Sequence, residues 1–195
     1  HMDLLTGFER AECLQHRAVE MLQEGKEIAV VFIDLDNFGA INKEFGHVMG
    51  DEVLKQAAHI FRGIIDEETD KIYRYGGDEF AVLSTKSVWE AKELANRMIA
   101  ALSSWGWPVG LRVTASAGVA GGRRKAVRFN GNLNHMMADL INMASLASTK
   151  AKREKVPVVV AEHAIDVVPA VAESSKLRKT GDLTTFIFCA TIPHN

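Results

Sequence analysis

Two stretches hold the residue types best able to do chemistry: Asp34-Leu35-Asp36, and Tyr73-Arg74-Tyr75-Gly76-Gly77-Asp78-Glu79-Phe80. The first closes an apolar run. The second lies between apolar and aromatic flanks, so it reads as two short strands joined at a tight turn. Paired glycines give such a turn backbone freedom and let a ligand approach the main chain. Asp34 and Asp78, with a backbone carbonyl between them, would make a hard oxygen site suited to Mg²⁺ or Mn²⁺ bridged to nucleotide phosphates. In nucleotidyl transfer one ion acidifies an attacking hydroxyl and the other stabilises the departing pyrophosphate. Asn37-Phe38-Gly39 follows at once and can offer backbone N–H groups to phosphates. Taken singly, each acid is as well explained as a solubilising group at a turn or strand end. Carboxylates on two elements that could be neighbours favour a site.

The elements that would position these residues follow from periodicity and punctuation. Ile28 to Ile33 is apolar without alternation, the mark of a strand buried on both faces at the centre of a sheet, where a strand end is a usual binding position. Before it, Asp3 to Arg10 forms a turn with Thr6 as a capping candidate. A helix then runs to Gln23 and is ended by Gly25. After it, Gly39 to Phe45 is a short helix. Gly46 to Asp51 is a turn in which Asp51 would cap an amphipathic helix from Glu52 to Ile65. An acidic loop, Asp66 to Asp70, leads into the hairpin. Val88 to Leu102 is a further amphipathic helix, broken by Trp105-Gly106-Trp107-Pro108. Leu111 to Ala120 is a strand of small residues able to pack closely beside a neighbour, and Gly121 to Asn130 a basic loop containing Arg123, Arg124, Lys125 and Arg128. Asn132 to Glu154 is a long helix. Val156 to Val160 is a strand that Pro157 assigns to an edge or a strand start. The order implies an α+β fold with one mixed sheet and helices packed around it. Residues 163–195, with a strand-like Thr185 to Ile192, form a C-terminal extension of unassigned role beyond a domain of residues 1–162.

The 195 residues suffice for one domain with a sizeable core, and 47% hydrophobic with 25% charged content is that of an ordinary globular protein. A net charge of −2 gives no global field to recruit nucleic acid or an anionic membrane, so phosphate chemistry must rest on a local site or a metal. Cys13 and Cys189 form neither a metal-ligand spacing nor a disulfide framework, which fits a reducing cytoplasm. No apolar run reaches the length of a membrane span. His1-Met2 reads as an expression remnant, and the natural protein is expected to begin earlier.

With these residues in view, the chain resembles a GGDEF domain, the diguanylate cyclase family. The matching motifs are Asp3-x-Leu5-Thr6-Gly7, Phe32-Ile33-Asp34-Leu35-Asp36-x-Phe38, and Ile41-Asn42-x-x-Phe45-Gly46-His47-x-x-Gly50-Asp51. Arg74 to Phe80 and Thr114 to Ala120 follow in the family's order. The resemblance implies a palm-like cyclase fold and metal-dependent condensation of two GTP into cyclic di-GMP, a bacterial second messenger, with loss of two pyrophosphates. It implies that Asp34, the Leu35 carbonyl and Asp78 hold two Mg²⁺ (or Mn²⁺) ions and that Asn42 and Asp51 bind the guanine edge. Gly76 and Gly77 would let the nucleotide lie against the hairpin, Glu79 would assist the metals or the 3′-hydroxyl, and Lys152 would contact phosphate. Asp51 is also explicable as a plain helix cap. Activity would require a homodimer, controlled by an N-terminal sensor or regulatory domain.

Three departures stand out. The product-inhibition motif Arg-x-x-Asp appears as Glu67-Glu68-Thr69-Asp70, without the guanidinium that grips product. In the late helix Val156 stands where the family has arginine, with Lys155 as the available substitute, and Gly39 replaces a lysine common after the first metal strand. The extension matches nothing in the family. Two alternatives therefore stay open: an inactive GGDEF module that binds GTP or a protein partner, or a related nucleotidyl cyclase with another product.

Overall fold

The computed structural model describes residues 1–122 and 132–161. Its elements are β1 (Glu9–Arg10), α1 (Ala11–Gln23), β2 (Ile28–Leu35), α2 (Phe38–Phe45), α3 (His47–Arg62), β3 (Asp70–Arg74) and β4 (Glu79–Ser84). They continue with α4 (Val88–Ser104), a 3₁₀ turn at Pro108–Gly110, β5 (Ala115–Gly122), α5 (Leu133–Glu154) and β6 (Val158–Val160). The strands form one mixed sheet in the order β1-β3-β4-β2-β5-β6.

β2 lies at the centre because both of its faces are apolar. Ala29, Val31, Ile33 and Leu35 join a core built with α2, α3 and α4, whereas Ile28, Val30 and Phe32 join a second core with α1 and α5. Strand pleating thus sends alternate residues of one strand into two separate apolar layers. β4 and β5 pair antiparallel with β2 on either side, in registers that set Asp34 opposite Glu79 and Ser116. The small residues of β5 admit α5: a Cβ at Gly118 would overlap the Ala144 carbonyl and come within 2.8 Å of the Ala147 carbonyl carbon.

Several boundaries differ from the sequence expectation. α3 begins at His47, because Gly46 with φ of +89° turns the chain sharply out of α2 and the next helix starts at once. Asp51 therefore sits inside α3 and does not cap it. β5 begins at Ala115, since Leu111 to Thr114 follow a 3₁₀ turn and β2 offers pairing only from Leu35 ↔ Ala115 onward. It continues to Gly122, where a loop was expected. Thr6 caps no helix; its hydroxyl donates to Asp3 at 2.6 Å and closes the N-terminal turn. α4 has a full capping box between Ser87 and Glu90. β6 is an edge strand beside β5, in keeping with Pro157. The basic residues Arg123, Arg124, Lys125 and Arg128 and the extension from 163 lie outside the described residues.

Candidate active site

The hairpin β3–β4 carries its tip to the end of β2. Tyr75 and Gly76 both donate to the Glu79 carbonyl, at 2.8 and 3.2 Å, and the Leu35 amide donates to the Asp78 carbonyl at 3.0 Å. This last bond splices the tip to the end of β2, so Asp34, Leu35, Asp78 and Glu79 come together at one edge of the sheet. Neither Gly76 nor Gly77 has a positive φ, so the turn does not need their conformational freedom. The reason at Gly76 is space: a Cβ there would overlap Glu79 Oε1 and lie 3.1 Å from Glu79 Cδ, so the bare backbone is what lets Glu79 fold over the tip. At Gly77 a Cβ would meet open space.

Among the described residues one cation pairs with this acidic edge. Lys152, one turn beyond the point where α5 crosses Gly118, donates to Asp34 Oδ2 at 2.9 Å and lies 3.8 Å from Asp36. Asp36 is held in place by the hydroxyls of Thr114 and Ser116, each donating at 2.8 Å. Burial pushes the Asp78 carboxyl above its usual range and the charge of Asp34 adds to the push. Glu79 is raised likewise, by burial and then by Asp34 and Asp78. Burial works against a charged Lys152, but its bond to Asp34 and the nearby carboxylates outweigh that and raise its pKa. The edge therefore carries more negative charge than its own lysine balances, which suits a bound cation. Among the described residues no three His, Cys, Asp or Glu side chains form a closed metal cage. Two carboxylates and a carbonyl are what Mg²⁺ takes when water and substrate phosphates fill its remaining positions.

The neighbouring segment is set up for anions. Asn37 adopts a left-handed conformation (φ 55°) that opens α2, and its amide and those of Phe38 and Gly39 meet no acceptor among the described residues. These N–H groups point out of a helix N-terminus beside the carboxylates. Further along, Asn42 leans on Gly50 of α3, and its Oδ1 is buried without a hydrogen-bond partner. Asp51, the next residue, is exposed. No short-range sequence signal disclosed the Asp36 hydroxyl pair or the role of space at Gly76.

The family profile described as "Diguanylate cyclase, GGDEF domain" matches residues 1–156. The chain belongs to the GGDEF family. The GGDEF domain is 31% identical over 106 residues to diguanylate cyclase DgcS of Shewanella oneidensis, covering 52% of this chain and 36% of that protein. The solved GGDEF domain of TpbB (YfiN) from Pseudomonas aeruginosa is 30% identical, with a TM-score of 0.65, over 83% of this chain and 95% of that one. Diguanylate cyclase SiaD of the same organism, solved with its activator SiaC, is 27% identical with a TM-score of 0.70, over 82% of this chain and 61% of that one. Across three curated relatives the match spans between 11% and 36% of the relative's own length. No helix among the described residues is long and apolar enough to cross a membrane.

Within this GGDEF domain, Arg74 ties the signature hairpin to the N-terminal turn. It donates to both carboxylate oxygens of Asp3 and, through its other nitrogens, to the carbonyls of Gly76 and Gly77. At the position of the family's inhibitory motif, Asp70 is buried and held by Lys86 at 2.8 Å and by Ser84 at 2.6 Å. At the late helix, Lys155 is the left-handed residue that ends α5.

Proposed function

We propose that this domain condenses two GTP into cyclic di-GMP with release of two pyrophosphates, two copies of the domain each contributing one nucleotide. The observation that carries this reading is the convergence of Asp34, Asp78 and Glu79 at the hairpin tip, spliced to β2 by the Leu35–Asp78 bond. Asp34, the Leu35 carbonyl and Asp78 would hold the divalent cations, Mg²⁺ or Mn²⁺, two per site. When bound, these supply the positive charge that acidifies the attacking 3′-hydroxyl and steadies the pyrophosphate. The amides of Asn37, Phe38 and Gly39 receive phosphate oxygens. Lys152 leaves Asp34 and pairs with the triphosphate, a single donor exchanging one anion for another. Asn42 and Asp51 bind the guanine edge, since a carboxylate accepts from both N1–H and N2–H. Gly77, with open space above it, leaves the nucleotide room along the tip. Glu79, at the tip beside Asp78, assists the metals or takes the proton of the 3′-hydroxyl.

A single copy binds one GTP and has no second nucleotide to attack, so catalysis depends on positioning two sites face to face. A homodimer is therefore the active form, and the greater length of the relatives fits an N-terminal sensor or regulatory domain that sets its geometry. The supply of GTP places the reaction in the bacterial cytoplasm. Incubation of concentrated protein with GTP and Mg²⁺ or Mn²⁺, with ATP in parallel, tests the reading by mass spectrometry of the products. Cyclic di-GMP from the wild type, absent with Asp78→Ala, supports it. The absence of arginine at Val156 favours a second reading, a GTP-binding module without turnover. GTP binding with no product, even when a fused leucine zipper forces dimerisation, would select that reading.

A further inference from the structure

The proposed reaction gives Asp36 no task, yet its carboxylate is firmly held. Pairing of β2 with β5 runs one residue past the end of β2, because the Asp36 amide donates to the Thr114 carbonyl at 2.8 Å. The hydroxyl of Ser116 donates to one carboxylate oxygen and that of Thr114 to the other, each at 2.8 Å. Two residues on from Asp34, Asp36 lies on the same face of the strand, the face that α5 covers. Lys152 of α5 reaches both. Its Nζ donates to Asp34 at 2.9 Å and stands 3.8 Å from Asp36, inside ion-pair range but beyond a hydrogen bond. A shift on the order of 1 Å would bring it onto Asp36. Lys152 must leave Asp34 when that carboxylate takes a divalent cation, since two positive charges at contact distance repel. A lysine freed from an ion pair ordinarily swings into water on its flexible stem. Here the next acceptor stands beside it, its orientation fixed by two hydroxyls.

We propose that Asp36 is a positioning residue: it holds the Lys152 ammonium at the edge of the site once Asp34 takes a divalent cation, so that the triphosphate meets a cation already in place. This rests on the reading of the site as a metal-dependent GTP site and adds what keeps its lysine there. Fixing a flexible side chain before the ligand arrives removes the ordering cost from the binding step. Plain charge predicts the reverse. A carboxylate beside a polyanion repels it, and its removal should tighten binding. The sign of the effect therefore separates the two roles.

The test is equilibrium binding of a fluorescent guanosine triphosphate at protein concentrations too dilute for sites to pair. Free Mn²⁺ is followed by electron paramagnetic resonance, so that each variant is compared with its metal sites filled. Lys152→Met should weaken binding roughly tenfold, the scale of one charge-assisted hydrogen bond. Asp36→Asn should weaken it about fivefold, the scale of immobilising one long side chain. In the Lys152→Met background Asp36→Asn should cause no further loss. Asn keeps the strand end intact, because its amide accepts from one hydroxyl and donates to the other, and an unchanged melting temperature checks this. Thr114→Val with Ser116→Ala leaves the carboxylate but frees it, and should reproduce part of the loss. Wild-type or tighter binding in Asp36→Asn overturns the proposal, as does undiminished affinity in Lys152→Met. So does an equal loss from Asp36→Asn with Lys152 already removed, which would place the effect in the strand end. If Asp36→Asn fails to fold, the Thr114→Val, Ser116→Ala variant decides, and full wild-type affinity there overturns the proposal. A wild type that binds no nucleotide with Mn²⁺ in excess overturns the GTP reading itself.

Discussion

Arg74 Nη1 lies 2.9 and 3.0 Å from the two carboxylate oxygens of Asp3, while the same guanidinium donates to the Gly77 carbonyl at 2.9 Å. The N-terminal turn and the hairpin tip are therefore two ends of one clamp, and Thr6 and Arg10 complete the ligation of Asp3. Asp3 is nearly inaccessible and Arg74 largely so, which removes most of the screening that weakens surface pairs.

Removing the carboxylate charge leaves Arg74 buried without its partner. Asp3→Asn should destabilise the domain by about 3 kcal/mol, the cost of breaking a buried pair on one side. It should also lower turnover more than nucleotide binding, because the tip loses its anchor and not its ligands. Urea unfolding and the split between kcat and KM check this.

Acid should act through Asp3 and Asp70. Burial opposes ionisation of both, but the Thr6 and Arg74 bonds at Asp3, and the Lys86 and Ser84 bonds at Asp70, hold their pKa values below the ordinary range. Depressed carboxylates contribute stability that is present above the unfolded value, about 3.9, and is lost as pH falls through the lower folded values. Urea midpoints should therefore fall steeply below about pH 4, and Lys86→Met should lower stability at neutral pH and flatten that fall, because Asp70 then keeps less of its depressed pKa to lose.

Cyclic di-GMP should not inhibit turnover through the Asp70 surface. Glu67 stands where a product-gripping arginine would be, and Asp70 is committed to Lys86. Glu67→Arg alone is expected to leave progress curves insensitive to added cyclic di-GMP. Inhibition appearing in that single variant would show that Asp70 can leave Lys86.

A lysine at position 39 should be accommodated. A Cβ there meets nothing within 4 Å and the residue is helical without a positive φ. Gly39→Lys should raise stability by up to about 1 kcal/mol through helix propensity. It should also tighten GTP binding several-fold by adding a cation beside the open amides of α2. Thermal melts and nucleotide titration read the two effects separately.

Without divalent cation the acidic edge works against folding. Asp78→Asn should raise the melting temperature of the metal-free protein by about 2–4 °C, a shift worth roughly 1 kcal/mol for a domain of this size, while abolishing cyclase activity. Added Mn²⁺ should stabilise the wild type more than the variant.

The central strand was legible because six apolar residues without alternation have few other homes, and the hairpin because its flanks are β-branched and aromatic. The convergence of Asp34 with Asp78 could be stated only as a condition on strand neighbours, and the sheet order meets it. Pairings that span the chain had no local mark: nothing near Asp3 announces Arg74, and nothing near Asp36 announces Ser116. Asp51 was misread as a cap because local rules see a turn residue before a periodic run, whereas Gly46 had already turned the chain. The glycine at 76 reads as freedom in sequence and proves to be a vacancy for Glu79, a distinction only three-dimensional neighbours can make.

The placement of β2 also bears on how the domain is made. Both of its edges pair with strands that emerge later in synthesis, β4 and then β5, so an apolar strand with two open edges must wait on the ribosome for its partners. Until Gly122 has left the exit tunnel, the nascent chain exposes a template for wrong pairing beside a half-built acidic edge. Translation speed between residues 36 and 122, and chaperones that cover such edges, should then govern the yield of this protein as strongly as its final stability does.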